Sequence, residues 1–257
     1  MPLNPEFSDS ARDGAAGAPA AALPPGPPGF SRFPTVIHRL AVGSRTIDLL
    51  SPRDPDALLD DPKIEERYKA DNYLPYWPII WPAGILLAEK ILRDQGSPPE
   101  APGGGLPSAA IELGCGLGLA GIGAALRGWP VTFTDYDPEA AEFARYNARL
   151  NGVAPGSIRA MQMDWRRPLL ERFAWVIASD VLYERRLHAL LLDAVENLLA
   201  RGGQAWVSDP NRTSAEDFPM AAAARGFRVS TVALDGTSPL QAPQPATLYV
   251  LTWPVGK

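Results

Sequence analysis

The sequence contains very little cysteine and histidine. Its 257 residues include one cysteine, Cys115, and two histidines. A single cysteine excludes an internal disulfide and is typical of a protein kept in a reducing cytoplasm. So few thiols and imidazoles also form no Cys/His cluster with the spacing of a zinc site. We therefore expect a cytoplasmic protein whose chemistry does not depend on a bound metal.

Long apolar runs and an excess of basic residues are missing as well. No segment reaches the run of about 18 apolar residues that a transmembrane helix needs, and the chain does not open with the pattern of a signal peptide. The 24 basic side chains are outnumbered by 29 acidic ones, which argues against a broad nucleic-acid-binding face. The sequence predicts neither a membrane anchor nor a nucleic-acid partner, and it leaves the oligomeric state open.

Alanine, proline and glycine dominate the first 30 residues, where large apolar side chains are scarce. Such a segment buries too little surface to offset the entropy lost on ordering, so we expect residues 1–30 to be a disordered tail. Residues 31–95 predict a β-hairpin that turns at Gly43, a helical stretch and a helix that begins at Pro82, forming a cap. Residues 96–257 are predicted to be the main ligand-binding domain.

Strand and helix patterns alternate after residue 108. This alternation predicts a mostly parallel sheet with helices on both faces. One amphipathic helix follows Asp180 and is expected to stop at Gly202-Gly203. The last two strand patterns have no helix between them, so we expect an antiparallel hairpin at one side of the sheet. The predicted fold is a Rossmann-like α/β fold with five parallel strands and this C-terminal hairpin. The seven strands are expected near Ala109–Leu113, Val131–Asp135, Ser157–Met163, Trp175–Ser179, Gln204–Ser208, Phe227–Leu234 and Thr247–Trp253.

Three glycines follow the first of these strands, at Gly114, Gly116 and Gly118. Glycine permits positive φ angles and lets a ligand come close to the backbone, and the next helix offers free N–H groups. Asp135 ends the second strand, about 20 residues further on, at the separation where a carboxylate binds the hydroxyls of a ribose. The pattern indicates a site for a nucleoside.

Two residues distinguish this pattern from a dinucleotide site. The dinucleotide fingerprint G-x-G-x-x-G needs a glycine at position 119, where this chain has Leu119. Glu112 precedes the first glycine, and a carboxylate there would repel a pyrophosphate but attract a ligand that carries an ammonium and a sulfonium. S-Adenosylmethionine carries both charges. A nicotinamide-dependent oxidoreductase remains as a less favoured alternative.

The segment ELGCGLG, residues 112–118, resembles the first motif, (D/E)-x-G-x-G-x-G, of the seven-stranded class I methyltransferases. The resemblance implies that residues 96–257 form a core that binds S-adenosylmethionine. It assigns the glycines to the methionine end of this cofactor and Asp135 to its ribose, and the charge of Glu112 favours the same end. It also places Asp164, with Trp165 beside it, against the adenine.

A narrower resemblance connects the chain with the protein-lysine methyltransferase branch, methyltransferase family 16. It is carried by PYWPIIWPAGILLAEKIL before the first motif and by SDVLYERR after the fourth strand. In that branch a W-P-(A/G)-G segment leads the helix that covers the cofactor, which implies a cofactor contact for Trp81. The D-x-x-Y motif lies where cofactor and substrate meet, and here it runs from Asp180 to Tyr183 and is followed by Glu184.

The resemblance implies a methyltransferase that modifies the nitrogen of a lysine in a protein. We expect Asp180 to orient the acceptor and Tyr183 to wall its pocket, and Glu184 is the third candidate catalytic residue. A small-molecule N- or O-methyltransferase of the same fold is the main alternative, and a catalytically silent protein that keeps the pocket is another. The N-P-P-(Y/F) loop of enzymes that methylate amino groups of nucleic acids is absent, since SDVLY stands after the fourth strand.

Overall fold

The computed structural model describes Pro27 and residues 34–93, 109–235 and 245–254. Apart from Pro27, residues 1–30, which we predicted to be a disordered tail, lie outside the described residues. No helix in the described part of the chain is both long and apolar enough to cross a membrane.

A two-stranded antiparallel hairpin precedes the first helices. It turns at Gly43, where φ is +60°, as the sequence predicted. The helix that was predicted to begin at Pro82 does begin there. Proline fits the first helical turn because that position needs no backbone N–H. In chain order these elements are β1 (Thr35–Val42), β2 (Arg45–Pro52), a 3₁₀ turn (Pro55–Asp60), α1 (Pro62–Asp71) and α2 (Pro82–Arg93).

Seven further strands form one sheet. They are β3 (Ala110–Leu113), β4 (Val131–Asp135), β5 (Ile158–Gln162), β6 (Phe173–Ser179), β7 (Leu199–Asp209), β8 (Arg228–Leu234) and β9 (Ala246–Thr252). Their order across the sheet is β5-β4-β3-β6-β7-β9-β8. The first five run parallel, whereas β9 is antiparallel to both β7 and β8. The predicted seven-stranded architecture, with its terminal hairpin, is confirmed.

Helices cover both faces of the sheet. They are α3 (Leu119–Leu126), α4 (Pro138–Leu150), α5 (Arg185–Leu198) and α6 (Phe218–Ala224), together with α2. Successive residues of a strand point to opposite faces. Accordingly, Ala110 of β3 joins the core formed with α2, α3 and α4, whereas Ile111 joins the core formed with α5 and α6. The site residues at the strand ends are thus carried by a sheet that is packed on both sides.

The prediction that Gly202-Gly203 stop α5 is wrong. The helix ends at Leu198, and β7 begins at once with Leu199 and contains both glycines. The register between β6 and β7 shifts here. An ideal Cβ at Gly203 would lie only 2.5 Å from the carbonyl oxygen of Ala174. Glycine at this position therefore serves the close approach of two strands.

Candidate functional site

A cavity of about 230 Å³ lies at the carboxyl ends of β3, β4 and β6. The strand order reverses here, since β3 has β4 on one side and β6 on the other. Open α/β sheets bind their ligands at such a point. The segment between α1 and α2 forms another part of the wall, with Tyr73, Tyr76 and Trp81 among the lining residues.

The glycine loop, residues 114–118, has a backbone that requires glycine. The φ angles of Gly114, Gly116 and Gly118 are +62°, +50° and +86°. Gly114 and Gly116 line the cavity, whereas Gly118 does not and is instead the N-cap of α3. An ideal Cβ at Gly118 would lie 2.7 Å from Cβ of Ala144 on α4. Two glycines thus keep the cavity wall bare, and the third allows the loop to pack against α4.

Asp135, the last residue of β4, also lines the cavity. Its Oδ2 accepts the N–H of Gly116 and its Oδ1 accepts the N–H of Asp137, both at 2.9 Å. Desolvation raises the pKa of Asp135 to about 6, although the two N–H groups oppose this rise. A carboxylate can accept about four hydrogen bonds. Asp135 therefore fixes the glycine loop and keeps lone pairs for the hydroxyls of a ligand.

Glu112 is not among the residues that line the cavity. It is buried, and its Oε2 accepts the N–H of Gly121, in α3, at 3.0 Å. Burial raises its pKa to about 8. The structure thus separates Glu112 from the other predicted cofactor residues and places it where it holds the first turns of α3.

Asp164 and Trp165 follow β5 and line the cavity beside Asp135. The N–H of Met163 donates to the carbonyl oxygen of Asp135 at 2.8 Å, which fixes this segment next to the end of β4. Desolvation raises the pKa of Asp164, but hydrogen bonds from Arg166 outweigh it, so the net pKa is lowered. An ionised acceptor beside an indole ring can bind an aromatic amine.

Three aromatic rings, from the segment before α2 and the segment after β6, line a part of the cavity that we call the acceptor end: Tyr76, Trp81 and Tyr183. The ring of Tyr76 lies edge-on to Trp81 and to Tyr183, with centroid distances of 6.2 and 5.5 Å. The indole N–H of Trp81 donates to the carbonyl oxygen of Tyr76 at 3.2 Å. Tyr183 is 39% exposed, so this end of the cavity reaches the surface.

Asp180 connects α2 with the segment after β7. Its Oδ2 accepts the N–H of Gly84 at 3.0 Å, and its Oδ1 lies 2.8 Å from Nη2 of Arg212. Arg212 also pairs with Asp209 at 2.9 Å. Desolvation raises the pKa of Asp180 to about 6, against the attraction of Arg212. Both oxygens of Asp180 are thus engaged, and the side chain fixes the start of α2 at the acceptor end.

Glu184 precedes α5 and lines the cavity. Its carboxylate pairs with Arg186, and 33% of its side chain remains exposed. Arg186 in turn donates to the carbonyl oxygen of Asp71 at 3.2 Å. Glu184 is therefore the solvent-facing acid of the acceptor end.

Among the described residues, no group of three or more His, Cys, Asp or Glu side chains is arranged to hold a metal ion.

No sequence pattern indicated the residues that attach α1 to the cofactor end, the part of the cavity lined by Gly114, Gly116, Asp135 and Asp164. The hydroxyl of Tyr73 donates to Oδ2 of Asp137 at 2.6 Å, and Arg67 donates to the same oxygen at 2.8 Å. The hydroxyl of Tyr136 donates to Asp71 at 2.5 Å. The partners in these bonds are at least 64 positions apart, so no local pattern could have indicated them.

Comparison with known proteins gives a family. A sequence profile described as "Lysine methyltransferase" matches residues 76–222, more than half of the chain. The electron transfer flavoprotein beta subunit lysine methyltransferase of Danio rerio is 32% identical over 147 residues, which are 56% of this chain and 53% of that protein. The calmodulin-lysine N-methyltransferase of Arabidopsis thaliana is 31% identical over 178 residues, 66% of this chain and 56% of that protein. The chain thus spans about half the length of these relatives.

A solved structure shares the fold. The glycopeptide N-methyltransferase MtfA, complexed with S-adenosyl-L-homocysteine, aligns with a TM-score of 0.50 at 16% identity, over 76% of this chain and 98% of that one. The residues that match the family profile include the glycine loop, Asp135 and the segment from Asp180 to Glu184. The chain therefore belongs to the lysine methyltransferase family, a family of S-adenosylmethionine-dependent enzymes.

Proposed function

We propose that this protein transfers a methyl group from S-adenosylmethionine to the side-chain nitrogen of a lysine in another protein. One observation carries the proposal: a single cavity joins the glycine loop and Asp135 to an aromatic opening at the surface. One end suits a nucleoside, and the other suits an apolar chain that ends in an amine.

The residues at the cofactor end fit this cofactor. Gly114 and Gly116 present bare backbone, so the methionine part would lie against the loop without meeting a side chain. Asp135 would accept hydrogen bonds from the vicinal hydroxyls of the ribose. Asp164 and Trp165 would hold the adenine, one through its amino group and the other through its ring.

Two residues expected at this end would act through the backbone. Glu112 would support the cofactor by fixing Gly121 in α3, since its carboxyl group is bonded there and lies away from the cavity. Gly118 would do so by letting the loop pack on α4. We therefore propose an indirect role for both residues.

When bound, the cofactor supplies a methyl group attached to a positively charged sulfur, and the rest of the cofactor is the leaving group, a neutral thioether. The task of the chain is to align the acceptor with this methyl group. Alignment of two reactants can contribute about 7–11 kcal/mol to lowering a barrier. A site built from a fixed loop and packed rings meets that requirement.

The acceptor lysine must lose a proton, because its ordinary pKa is about 10.4. Tyr76 and Tyr183 would surround its aliphatic chain and exclude water, which lowers the pKa of the amine by desolvation. Trp81, which the resemblance assigned to the cofactor, would join them, since it packs on Tyr76. Glu184 faces solvent and would receive the proton, directly or through water. Asp180 would orient the acceptor by fixing the start of α2, since both of its oxygens are already bonded.

The charges of the cavity support a cationic ligand. Asp135 and Asp180 both line it, and Asp180 shares its counterion, Arg212, with Asp209. A positively charged sulfur and a protonated amine are both attracted by such an excess of carboxylates. The acidic balance of the whole chain supports a protein acceptor over a nucleic acid, and buried Cys115 is compatible with the cytoplasm as the proposed compartment.

The proposal is tested by incubating the protein with S-adenosylmethionine labelled in its methyl group and a cell lysate separated by a size cut-off. We expect label in the protein fraction, located on lysine by mass spectrometry of peptides. Asp135→Ala should abolish the labelling, whereas Glu142→Ala, on the exposed side of α4, should not. Label confined to the small-molecule fraction would contradict a protein acceptor and support the small-molecule alternative.

A further inference from the structure

We propose that Asn147 is a positioning residue that couples the N-terminal hairpin, β1 and β2, to the glycine loop. The hairpin would then contribute to cofactor affinity through the loop. The identity of the ligand rests on the proposed function. The coupling between the hairpin and the loop does not depend on it.

Asn147 lies on α4 and is fully buried. Its Oδ1 accepts the N–H of Leu50, on β2, at 2.8 Å. Its Nδ2 donates to the carbonyl oxygen of Leu50 and to that of Leu117, in the glycine loop, both at 3.1 Å. All three partners are backbone groups. One side-chain amide thus holds the hairpin and the loop together.

Asn151, one helical turn later, provides a natural comparison. Its Oδ1 accepts the N–H of Asp48 at 2.9 Å, and its Nδ2 donates to the carbonyl oxygen of Asp48 at 2.7 Å. Its remaining donor reaches the carbonyl oxygen of Asn147, within α4, at 2.8 Å. Asn151 therefore binds the hairpin as Asn147 does but makes no bond to the loop.

The two asparagines replace a neighbouring strand. Asp48 and Leu50 alternate along β2, so their backbone groups face the same edge, away from β1. The amide groups of Asn151 and Asn147 pair with that edge in the way that a third strand would. The N–H of Leu50 thus reports on Asn147, and the N–H of Asp48 reports on Asn151.

The coupling reaches the cavity from both sides of Asn147. Leu117 lines the cavity, and so does Leu49, on the hairpin. Gly118, next to Leu117, has no room for a Cβ against Ala144 of the same helix. Loss of the Asn147 amide would leave the carbonyl oxygen of Leu117 buried without this donor, which is unfavourable. We expect the loop to respond by moving.

Amide hydrogen exchange, followed by NMR without any ligand, tests the coupling. Asn147→Ala should speed the exchange of the Leu50 amide and of amides in the glycine loop. Asn151→Ala, the matched control, should speed the exchange of the Asp48 amide and leave the loop as in the wild type. Unchanged loop exchange in Asn147→Ala, or equal loop exchange in both variants, would overturn the proposal.

Calorimetric titration with S-adenosylhomocysteine tests the consequence for the cofactor. We expect Asn147→Ala to weaken binding by about tenfold and Asn151→Ala by less than about threefold. In turnover assays, the KM for S-adenosylmethionine should rise in Asn147→Ala while kcat at saturation stays near the wild-type value. Equal weakening in both variants would contradict a specific role for Asn147.

Two further outcomes can be separated from these. If the wild type does not bind S-adenosylhomocysteine, the proposed function fails, whereas the exchange measurement without ligand still decides the role of Asn147. If Asn147→Ala does not fold, the wild type alone decides, because coupling is reciprocal. S-Adenosylhomocysteine should then slow the exchange of the Leu50 amide more than that of the Asp48 amide, and equal slowing would contradict the proposal.

Discussion

The two ends of the cavity are built in different ways. At the cofactor end part of the wall is main chain: Gly114 and Gly116 adopt positive φ angles, and Asp135 accepts the N–H of Gly116. At the acceptor end the wall consists of side chains, the rings of Tyr76 and Tyr183 among them. The cofactor end depends on the glycine loop and on the strand ends beside it, whereas the acceptor end depends on contacts between side chains of distant segments.

This difference separates the two requirements of a group-transfer enzyme. A main-chain site can change little, because each of its φ angles and close contacts restricts the residue allowed. A side-chain site can change its rings and acids while the backbone stays in place. We therefore expect the cofactor end to determine the chemistry and the acceptor end to determine which lysine is modified.

The largest effect is expected at Asp135, which both fixes the glycine loop and lines the cavity. Asp135→Ala removes the acceptor of two backbone N–H groups and the proposed partner of the ribose hydroxyls. We expect the Kd for S-adenosylhomocysteine, measured by calorimetry, to rise about 100-fold. Asp135→Asn keeps one acceptor oxygen, so its Kd should lie between those of the wild type and Asp135→Ala. Wild-type affinity in Asp135→Ala would show that the main-chain end does not bind the cofactor.

A replacement of Asp180 should affect the acceptor end much more than the cofactor end. Asp180→Asn weakens the connection between Gly84 and Arg212, so the acceptor end should lose its alignment, and kcat should fall by up to about 100-fold. The Kd for the cofactor should change by less than about threefold. Steady-state kinetics and calorimetry provide the two numbers.

Asp209→Asn is the matched control for this prediction. Asp209 is fully buried and pairs with Arg212, but it does not line the cavity. It should therefore lower the free energy of unfolding, as expected for a broken buried pair, with a much smaller loss of kcat than Asp180→Asn. Equal losses of kcat would mean that Asp180 acts only through stability.

A moderate effect is expected at Tyr183, since the acceptor end depends on its ring. Tyr183→Ala should raise the KM for the protein substrate about tenfold, whereas Tyr183→Phe keeps the ring and should change it by less than about threefold. Cofactor affinity should stay at the wild-type value in both variants. A large rise of this KM in Tyr183→Phe would show that the hydroxyl group, and not the ring, contributes to substrate binding.

The pH dependence of stability tests the burial of Glu112, a residue that lies outside the cavity wall. Burial raises its pKa from 4.5 to about 8, so between these values the folded chain holds a proton that the unfolded chain has lost. Stability should therefore fall as pH rises through this window, by on the order of 1 kcal/mol per pH unit.

Glu112→Gln carries no titrating group and should flatten this dependence, as measured by urea unfolding at a series of pH values. Asp135 and Asp180, whose pKa values are raised to about 6, contribute a decrease of the same sign at lower pH. If the wild type and Glu112→Gln showed the same dependence of stability on pH above pH 6, buried Glu112 would not be protonated in the folded chain as we expect.

The cofactor end could be predicted from the sequence because its determinants are local. The glycine spacing and the strand that ends at Asp135 lie within one βαβ unit, and the structure reproduces them. The direction of Glu112 could not be predicted, since its partner, Gly121, is positioned by the packing of α3. Spacing shows which residues are near each other along the chain but not which way a side chain turns.

The acceptor end was predicted only in part, because its contacts join distant residues. The D-x-x-Y motif indicated Asp180 and Tyr183, but not that Arg212 pairs with Asp180 across 32 positions. The rings of Tyr76 and Tyr183, which lie 5.5 Å apart, also come from distant segments of the chain. Such contacts follow from the tertiary arrangement of α1, α2 and the sheet, which no local pattern describes.

The cofactor site itself is tested by calorimetric titration of the full chain with S-adenosylmethionine and with S-adenosylhomocysteine. We expect saturable binding of both compounds at one site, weakened in Asp135→Ala and nearly unchanged in Asp209→Asn. A well-folded wild-type chain that binds neither compound would contradict this expectation.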